Sequence, residues 1–288
     1  MRSVVVTGAS TGIGKASALR LDREGWRVFA GVRKESDGAA LRAEASERMT
    51  TLMIDVTEGA SISAMAAAIR DAVGGDGLHG LVNNAGIATG GVLEFVDLEE
   101  LRRVLEVNVI GQLAVTQPLI PLLRQGRGRI VMMSSIAGRS ATPLLGPYAA
   151  SKHALEGMTD ALRLELRPWG IHVALIQPGT IATPIWGKAL SFAEGFMKNP
   201  SYPREAERLY GPLVEAMLKG LRQVKGIPPE SVADAVFHAL CARTPRTRYV
   251  VGRDARIRCW IERLPDRLRD RLMLGKIPRY GPPLGDGR

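Results

Sequence analysis

The sequence predicts an α/β fold, a doubly wound parallel sheet with helices on both faces. Short apolar, β-branched runs alternate with longer stretches of helical spacing along most of the chain. The residues suited to chemistry gather where the expected strands end, which is where ligands bind in such a sheet. With 288 residues and 45% hydrophobic content, the chain is long enough for one sizeable α/β domain.

The first strand is expected over 3–7, a buried β-branched run that ends in Thr7. It breaks into glycines at 8, 12 and 14, and a helix is expected over 13–24. Glycine permits the tight turn and lets a phosphate approach the backbone, while the helix start aims free amides and a positive dipole end at that anion. The spacing is Gly-x-x-x-Gly-x-Gly, not the Gly-x-Gly-x-x-Gly of the usual dinucleotide fingerprint. A plain loop is the alternative; the place directly behind an N-terminal strand argues for a nucleotide. Gly8, Ser10, Thr11, Gly12, Ile13 and Gly14 are therefore candidate cofactor ligands.

Further strands are expected over 27–32, 51–55, 79–83, 128–134, 171–177 and 248–251. Helices are expected over 38–48, 58–73, 98–117, 147–168, 205–223 and 230–242. Ile62, Met65, Ala66, Ile69 and Val73 show the three-four spacing of a helix packed on one face, and Gly74-Gly75-Asp76-Gly77 ends it.

Tyr148 and Lys152 stand four residues apart, one turn up the same helix face. An ammonium beside a phenol stabilises phenolate and lowers the tyrosine pKa from about 10 toward working pH. Such a phenol can give or take a proton at a carbonyl or alcohol oxygen. A surface pair is the alternative for an isolated Tyr-x-x-x-Lys, but three other pieces surround this one in order. Ser135 ends an expected strand, and its hydroxyl can hydrogen-bond a substrate oxygen as charge shifts there. Asn108 is an unusual amide within an apolar helical stretch, where it can also satisfy a kinked helix. Pro178-Gly179 follows the sixth strand and turns the chain sharply.

Thr7-Gly-Ala-Ser-Thr-Gly-Ile-Gly14, Asn83-Asn-Ala-Gly86, Asn108, Ser135, Tyr148-x-x-x-Lys152 and Pro178-Gly179 with Thr183 together resemble a short-chain dehydrogenase/reductase over residues 1–252. Ile136-Ala-Gly138, Leu164-Glu-Leu-Arg-Pro-Trp-Gly170 and Tyr249-Val-Val-Gly252 resemble the steroid and retinol dehydrogenase branch. The resemblance implies a Rossmann-like domain and an oxidoreductase that interconverts a ketone or aldehyde and its alcohol. It implies that Tyr148 is the acid or base, that Ser135 polarises the oxygen, and that Lys152 also binds the nicotinamide ribose. Asn108 would place a water linking Lys152 to solvent through its side chain and carbonyl. Asn84, Ala85 and Gly86 would lie along the cofactor, Asp55 and Val56 at its adenine, and Pro178, Gly179, Ile181 and Thr183 at its carboxamide. Family habit also implies a homodimer or homotetramer through the helices around 98–117 and 147–168.

Cofactor choice turns on the end of the second strand. Val32 stands where NAD-preferring relatives carry Asp, and Arg33 and Lys34 follow. An acidic residue there would bind a ribose 2′-hydroxyl, whereas an arginine fork matches a 2′-phosphate. NADP(H) is expected, with NAD(H) as the alternative, since Thr11 stands where many NADP-preferring relatives carry a second basic residue. Apolar residues between Pro184 and Tyr210 (Ile185, Trp186, Leu190, Phe192, Phe196, Met197, Tyr202 and Leu209), with Leu144 and Leu145 opposite, suggest a hydrophobic substrate pocket. Core packing of two short helices is the other account of those side chains.

Residues 243–288 carry thirteen Arg/Lys against five Asp/Glu, or +8 of the chain's +10. A basic extension over 253–288 is expected, with an apolar stripe over 255–273 that Pro265 splits into two short helices. Such a stripe packs on its own domain or lies on a membrane surface. Without a reading motif or aromatic platform, no nucleic-acid partner is expected. Two cysteines suit a reducing compartment, no stretch is apolar enough to span a membrane, and no signal peptide precedes Ser3, so a cytoplasmic location is expected. No metal is expected, because the four histidines lack ligand spacing. The competing function is a nucleotide-binding sensor or scaffold without turnover, although such a protein needs no proton relay.

Overall fold

Strand-helix alternation becomes one parallel sheet in the computed structural model, which describes residues 1–185, 187, 204–223 and 225–275. Among these residues the strands are β1 (Ser3–Val6), β2 (Arg27–Val32), β3 (Met49–Met53), β4 (Gly80–Asn83), β5 (Arg129–Met133), β6 (His172–Pro178) and β7 (Arg248–Val251), in the order β3-β2-β1-β4-β5-β6-β7. The order reverses between β1 and β4, whose register pairs Val4 with Gly80 and Val6 with Val82. A crevice opens at such a switch point, beyond the carboxyl ends of the strands.

Side-chain alternation along β1 sends Val4 and Val6 to one face and Val5 to the other. The first face packs on α1 (Gly12–Arg23) and, near the end of the domain, on the helix Glu230–Cys241. The second packs on α3 (Gly59–Val73), α5 (Gly111–Gln125) and α6 (Gly146–Leu166), with α2 (Glu35–Arg42) and α4 (Leu98–Leu105) completing the series to that point. Then come α7 (Arg204–Gln223), α8 (Glu230–Cys241), α9 (Arg253–Ile261) and α10 (Asp266–Leu274). Among the described residues no helix is long and apolar enough to cross a membrane.

Three boundaries differ from the sequence expectation, each for a tertiary reason. α2 starts earlier, where Glu35 and Asp37 suit a helix N-terminus, and it stops at Arg42. Beyond it Ser46 is captured by Asp22 of α1, through its backbone N–H at 2.9 Å and its hydroxyl at 2.5 Å. β3 accordingly begins at Met49. The helix expected over 98–117 is instead α4, a π turn over Glu106–Ile110, and α5, which runs on through Pro118 and Pro121 to Gln125. Proline costs a helix interior about 3 kcal/mol. Burial of Val115, Leu119, Leu122 and Leu123 on one stripe offsets that, at about 1.5–3 kcal/mol per side chain. Gly111 lets this helix touch backbone, since a Cβ there would lie 2.7 Å from the Val56 carbonyl.

At the C-terminus Pro265 separates α9 from α10 as expected. Of the two, α9 packs on the body, through the fully buried Ala255. α10 buries none of its residues. Leu119→Ala is expected to lower stability by about 2–5 kcal/mol in denaturant unfolding, because Leu119 is 0% exposed and the void cannot collapse against a sheet.

Candidate active site

The β1–α1 turn is built for an anion. Gly8 and Gly12 have φ of +63° and +57°, a region that glycine enters without strain. A Cβ on Gly14 would overlap the Gly8 carbonyl, so the helix start closes tightly on the turn. Thr11 caps α1 without a side-chain hydrogen bond, and no acidic residue stands in the first turn. The N-terminal amides at Gly12, Ile13 and Gly14 therefore face outward with no side-chain competitor. Ser10 and Thr11 lie on the same turn, half-buried and exposed respectively.

Asn84, Ala85 and Gly86 run beside this turn. The Thr7 hydroxyl accepts from the Asn84 and Ala85 amides at 2.9 and 3.0 Å, and the Asn84 side chain donates to the Thr7 and Gly8 carbonyls at 3.0 and 3.1 Å. Arg33 is exposed at the end of β2, near enough to Asp55 to help hold its carboxyl below the usual range. The larger cause is the pair of hydrogen bonds from the Thr57 hydroxyl and amide, which fold Asp55 into a local turn. Val56 is buried behind it.

The opposite wall holds the proton-bearing groups. Ile13, Asn84, Gly86, Ser135, Tyr148, Lys152, Pro178, Gly179, Ile181 and Thr183 line one cleft. Thr183 reaches across to the glycine turn, because a Cβ on Gly12 would meet its methyl at 3.0 Å. Tyr148 sits in the first turn of α6 and lines the cleft together with Ser135. Lys152, 4% exposed, donates to the Met133 carbonyl at 2.8 Å, with its nitrogen 5.7 Å from the Tyr148 ring centre.

Asn108 stands behind the cleft on the π turn. Its Oδ1 accepts from the Ile87 amide at 2.8 Å, and its Nδ2 donates to the Ile87 carbonyl at 2.8 Å and to Ser151 Oγ at 3.0 Å. Ser151 Oγ in turn donates to the Tyr148 carbonyl at 2.7 Å. Both amide hydrogens are thus bound to protein, so the side chain ties α6 to the strand end.

Several contributors carry little or no sequence signal. Thr7 braces Asn84, a role its place before the glycine turn hints at. Met133 acts through its carbonyl, which no side-chain pattern can report. Glu156, four residues beyond Lys152, is 7% exposed and accepts from Gln177 at 2.9 Å and from Arg248 at 3.1 Å. Its spacing on the Tyr148–Lys152 face is the one signal that could have found it. Leu144 takes φ +64° and its carbonyl accepts from Gly91 at 2.8 Å, and neither it nor Leu145 is among the residues that line the cleft. Ile185 lines the cleft and Leu209 lies on α7; Trp186, Leu190, Phe192, Phe196, Met197 and Tyr202 fall outside the described residues.

Comparison with known proteins agrees with this geometry. A family model described as short chain dehydrogenase matches residues 2–193. The NADPH-dependent 3-dehydrocapnine reductase of Ornithobacterium rhinotracheale is 38% identical over 280 residues, covering 94% of this chain and 96% of that one. Retinol dehydrogenase 5 of Mus musculus is 36% identical over 286 residues, covering 96% and 89%. A crystal structure of a short chain dehydrogenase from Burkholderia cenocepacia J2315 in complex with NADP superposes with a TM-score of 0.72 at 26% identity, covering 95% and 99%.

The proton equilibria depart from the sequence expectation. Burial raises the Tyr148 pKa, and the Ser135 hydrogen bond only partly opposes it. The ammonium expected to lower it points instead at the Met133 carbonyl. Burial also lowers Lys152 to about 8, with Glu156 acting against it. The folded Lys152 pKa lies below its ordinary value of 10.5, so between the two the unfolded chain binds more protons and folding stability rises with pH. Wild type is expected to gain about 2 kcal/mol over Lys152→Met between roughly pH 8 and pH 10, measured by denaturant titration of both proteins.

Proposed function

The chain belongs to the short-chain dehydrogenase family, near its steroid and retinol dehydrogenases, and is an oxidoreductase; on that premise we propose that it interconverts a hydrophobic ketone or aldehyde and its alcohol, with Tyr148 as acid or base. The observation that carries this reading is that Ser135, Tyr148 and Lys152 share one cleft with the Pro178–Thr183 turn.

The residues present fit a nicotinamide dinucleotide. The outward amides of α1 and the Gly8–Gly14 cradle suit its pyrophosphate, and Lys152 and the 178–183 turn suit its ribose and carboxamide. When bound, the dinucleotide supplies or accepts the hydride. The protein's part is proton transfer and positioning. Ser135 donates to the substrate oxygen and holds it against the Tyr148 hydroxyl. In reduction, Tyr148 gives its proton to that oxygen, and burial helps by keeping the phenol protonated until the substrate demands it. Lys152 then restores the proton, and the Asn108 carbonyl holds the water through which Lys152 exchanges with solvent. Oxidation reverses these transfers.

NADP(H) is the proposed cofactor and NAD(H) the alternative. The exposed Arg33 at the end of β2, with no acidic residue at Val32, supports this choice. Ile185 in the cleft lining, with the apolar run around Pro184–Tyr210 in the sequence, supports an apolar substrate of steroid, retinoid or lipid type. The exposed Leu98, Ile110 and Leu164 support association as a homodimer or homotetramer through α4, the π turn and α6.

Nicotinamide absorbance with NADPH and NADH, against hydrophobic ketones, aldehydes and alcohols, tests the reading. Tyr148→Phe is expected to lower kcat by about 10²–10⁴-fold with its fold intact. Cofactor binding by wild type with no turnover across the panel would favour the sensor reading. Arg33→Ala is expected to raise the NADPH KM by about tenfold while leaving the NADH KM within about twofold, since one charged hydrogen bond to phosphate is removed. An equal effect on both cofactors would remove Arg33 from the choice.

A further inference from the structure

The cleft has two walls that leave neighbouring strands, the loop after β5 and the turn 178–183 after β6. One short helix outside the region matched by the family model touches both. Asp254, in the first turn of α9, accepts from the Thr180 amide at 2.7 Å. Its carboxylate is wedged between two glycines. A Cβ on Gly179 would overlap it, and a Cβ on Gly252 would lie 2.5 Å from it. Gly252 has φ +108°, a conformation that suits glycine, and the Gly179 amide donates to the Val251 carbonyl at 2.8 Å. The turn is thereby held at its first residues by the start of α9.

Arg258 lies one helical turn further on the same face. Its Nη2 donates to the Ser140 carbonyl and hydroxyl, both at 2.8 Å, and its Nε to that hydroxyl at 3.2 Å. Ser140 is 1% exposed and its amide donates to the Ile136 carbonyl at 2.9 Å. Ser135 Oγ accepts from Ala137 at 3.1 Å within the same short loop. The half-buried guanidinium fork gives all three of these hydrogen bonds to one serine, while Glu262 and Asp254 supply opposite charge nearby, so its geometry is spent on holding the loop.

We propose that α9 is a positioning strut for the active site: Asp254 fixes the 178–183 turn, Arg258 fixes the loop bearing Ser135, and the rigid helix between them sets the gap that substrate and cofactor occupy. This rests on the functional reading above, since the gap matters only if hydride and proton are delivered across it. Neither residue touches the reacting atoms.

Hydrogen exchange by mass spectrometry tests the strut without turnover. Arg258→Met is expected to speed amide exchange in 136–142 and leave 178–183 unchanged, and Asp254→Ala to do the converse. NADPH fluorescence titration should show Kd raised about tenfold in Asp254→Ala and less than about twofold in Arg258→Met. kcat should fall by about tenfold or more in Arg258→Met, and Arg258→Lys should recover part of it. Unchanged exchange in both loops, or exchange accelerated evenly across the sheet, overturns the proposal. Should either variant unfold, Arg258→Lys and Asp254→Asn carry the same comparison. An inactive wild type would sink the functional reading while exchange and Kd still decide the strut.

Discussion

Burying the ammonium of Lys152 is the constraint on which the active site depends. A charge taken from water costs several kcal/mol unless donors and acceptors meet it. Here the Met133 carbonyl accepts from it, and Glu156 supplies opposite charge one turn along α6. Each partner is set by something else: Met133 by its place at the end of β5, Glu156 by Gln177 on β6 and Arg248 on β7. The lysine is thus held by three neighbouring strands at once. Lowered to about 8, it can release a proton near neutral pH, which an exposed lysine cannot do so readily. The charge chain continues from Glu156 through Arg248 to Asp160 and Arg163, so the buried carboxylate is balanced out to the surface.

Sheet topology places the other groups. The reversal between β1 and β4 leaves no crossover above it, so the glycine turn and the Asn84 strand end can lie side by side. Their contact is backbone to backbone: a Cβ on Gly8 would meet Ala85 at 2.9 Å. From the far side, α6 starts immediately above β5 and brings Tyr148 over Ser135. The π turn lets one more residue into the α4–α5 connection, and that register buries Asn108 beneath α6. Interruption of the helix here is what ties α6 to the strand end.

Side chains that act by identity and spacing are legible from the sequence alone. Tyr148 and Lys152 announce a helix face, and the glycines announce a turn. The strands follow from β-branched runs, because a parallel sheet buried on both faces leaves little ambiguity. What is not legible acts through backbone or through distant partners. No pattern marks the Met133 carbonyl. Pro118 reads as a stop because local propensity is visible in a sequence, whereas the burial of Leu119 and Leu123 that overrides it is not. α2 ends early for a reason held by Asp22, twenty-four residues before Ser46. The Tyr148 pKa moves opposite to expectation because burial raises it, and spacing shows proximity to Lys152 but neither that burial nor where the lysine nitrogen points.

At the C-terminus the sequence sets arginines beside an apolar stripe, which suits packing on the domain as well as a membrane surface. In the fold they divide. Arg256, Arg263, Arg267 and Arg271 are exposed, while Arg258 turns inward, where burial lowers its pKa, and grips a buried serine. Arginine suits this task better than lysine because its planar fork makes three donations to one residue without reorganising, so the held loop has one position. A lysine at that place would offer a point charge and a flexible stem. The distinction matters for chemistry in the cleft, where an error of about 1 Å in the placing of a reacting group can cost on the order of a hundredfold in rate. The same helix that begins an apparently solvated tail is therefore, by its first two turns, part of the frame around the loop that bears Ser135.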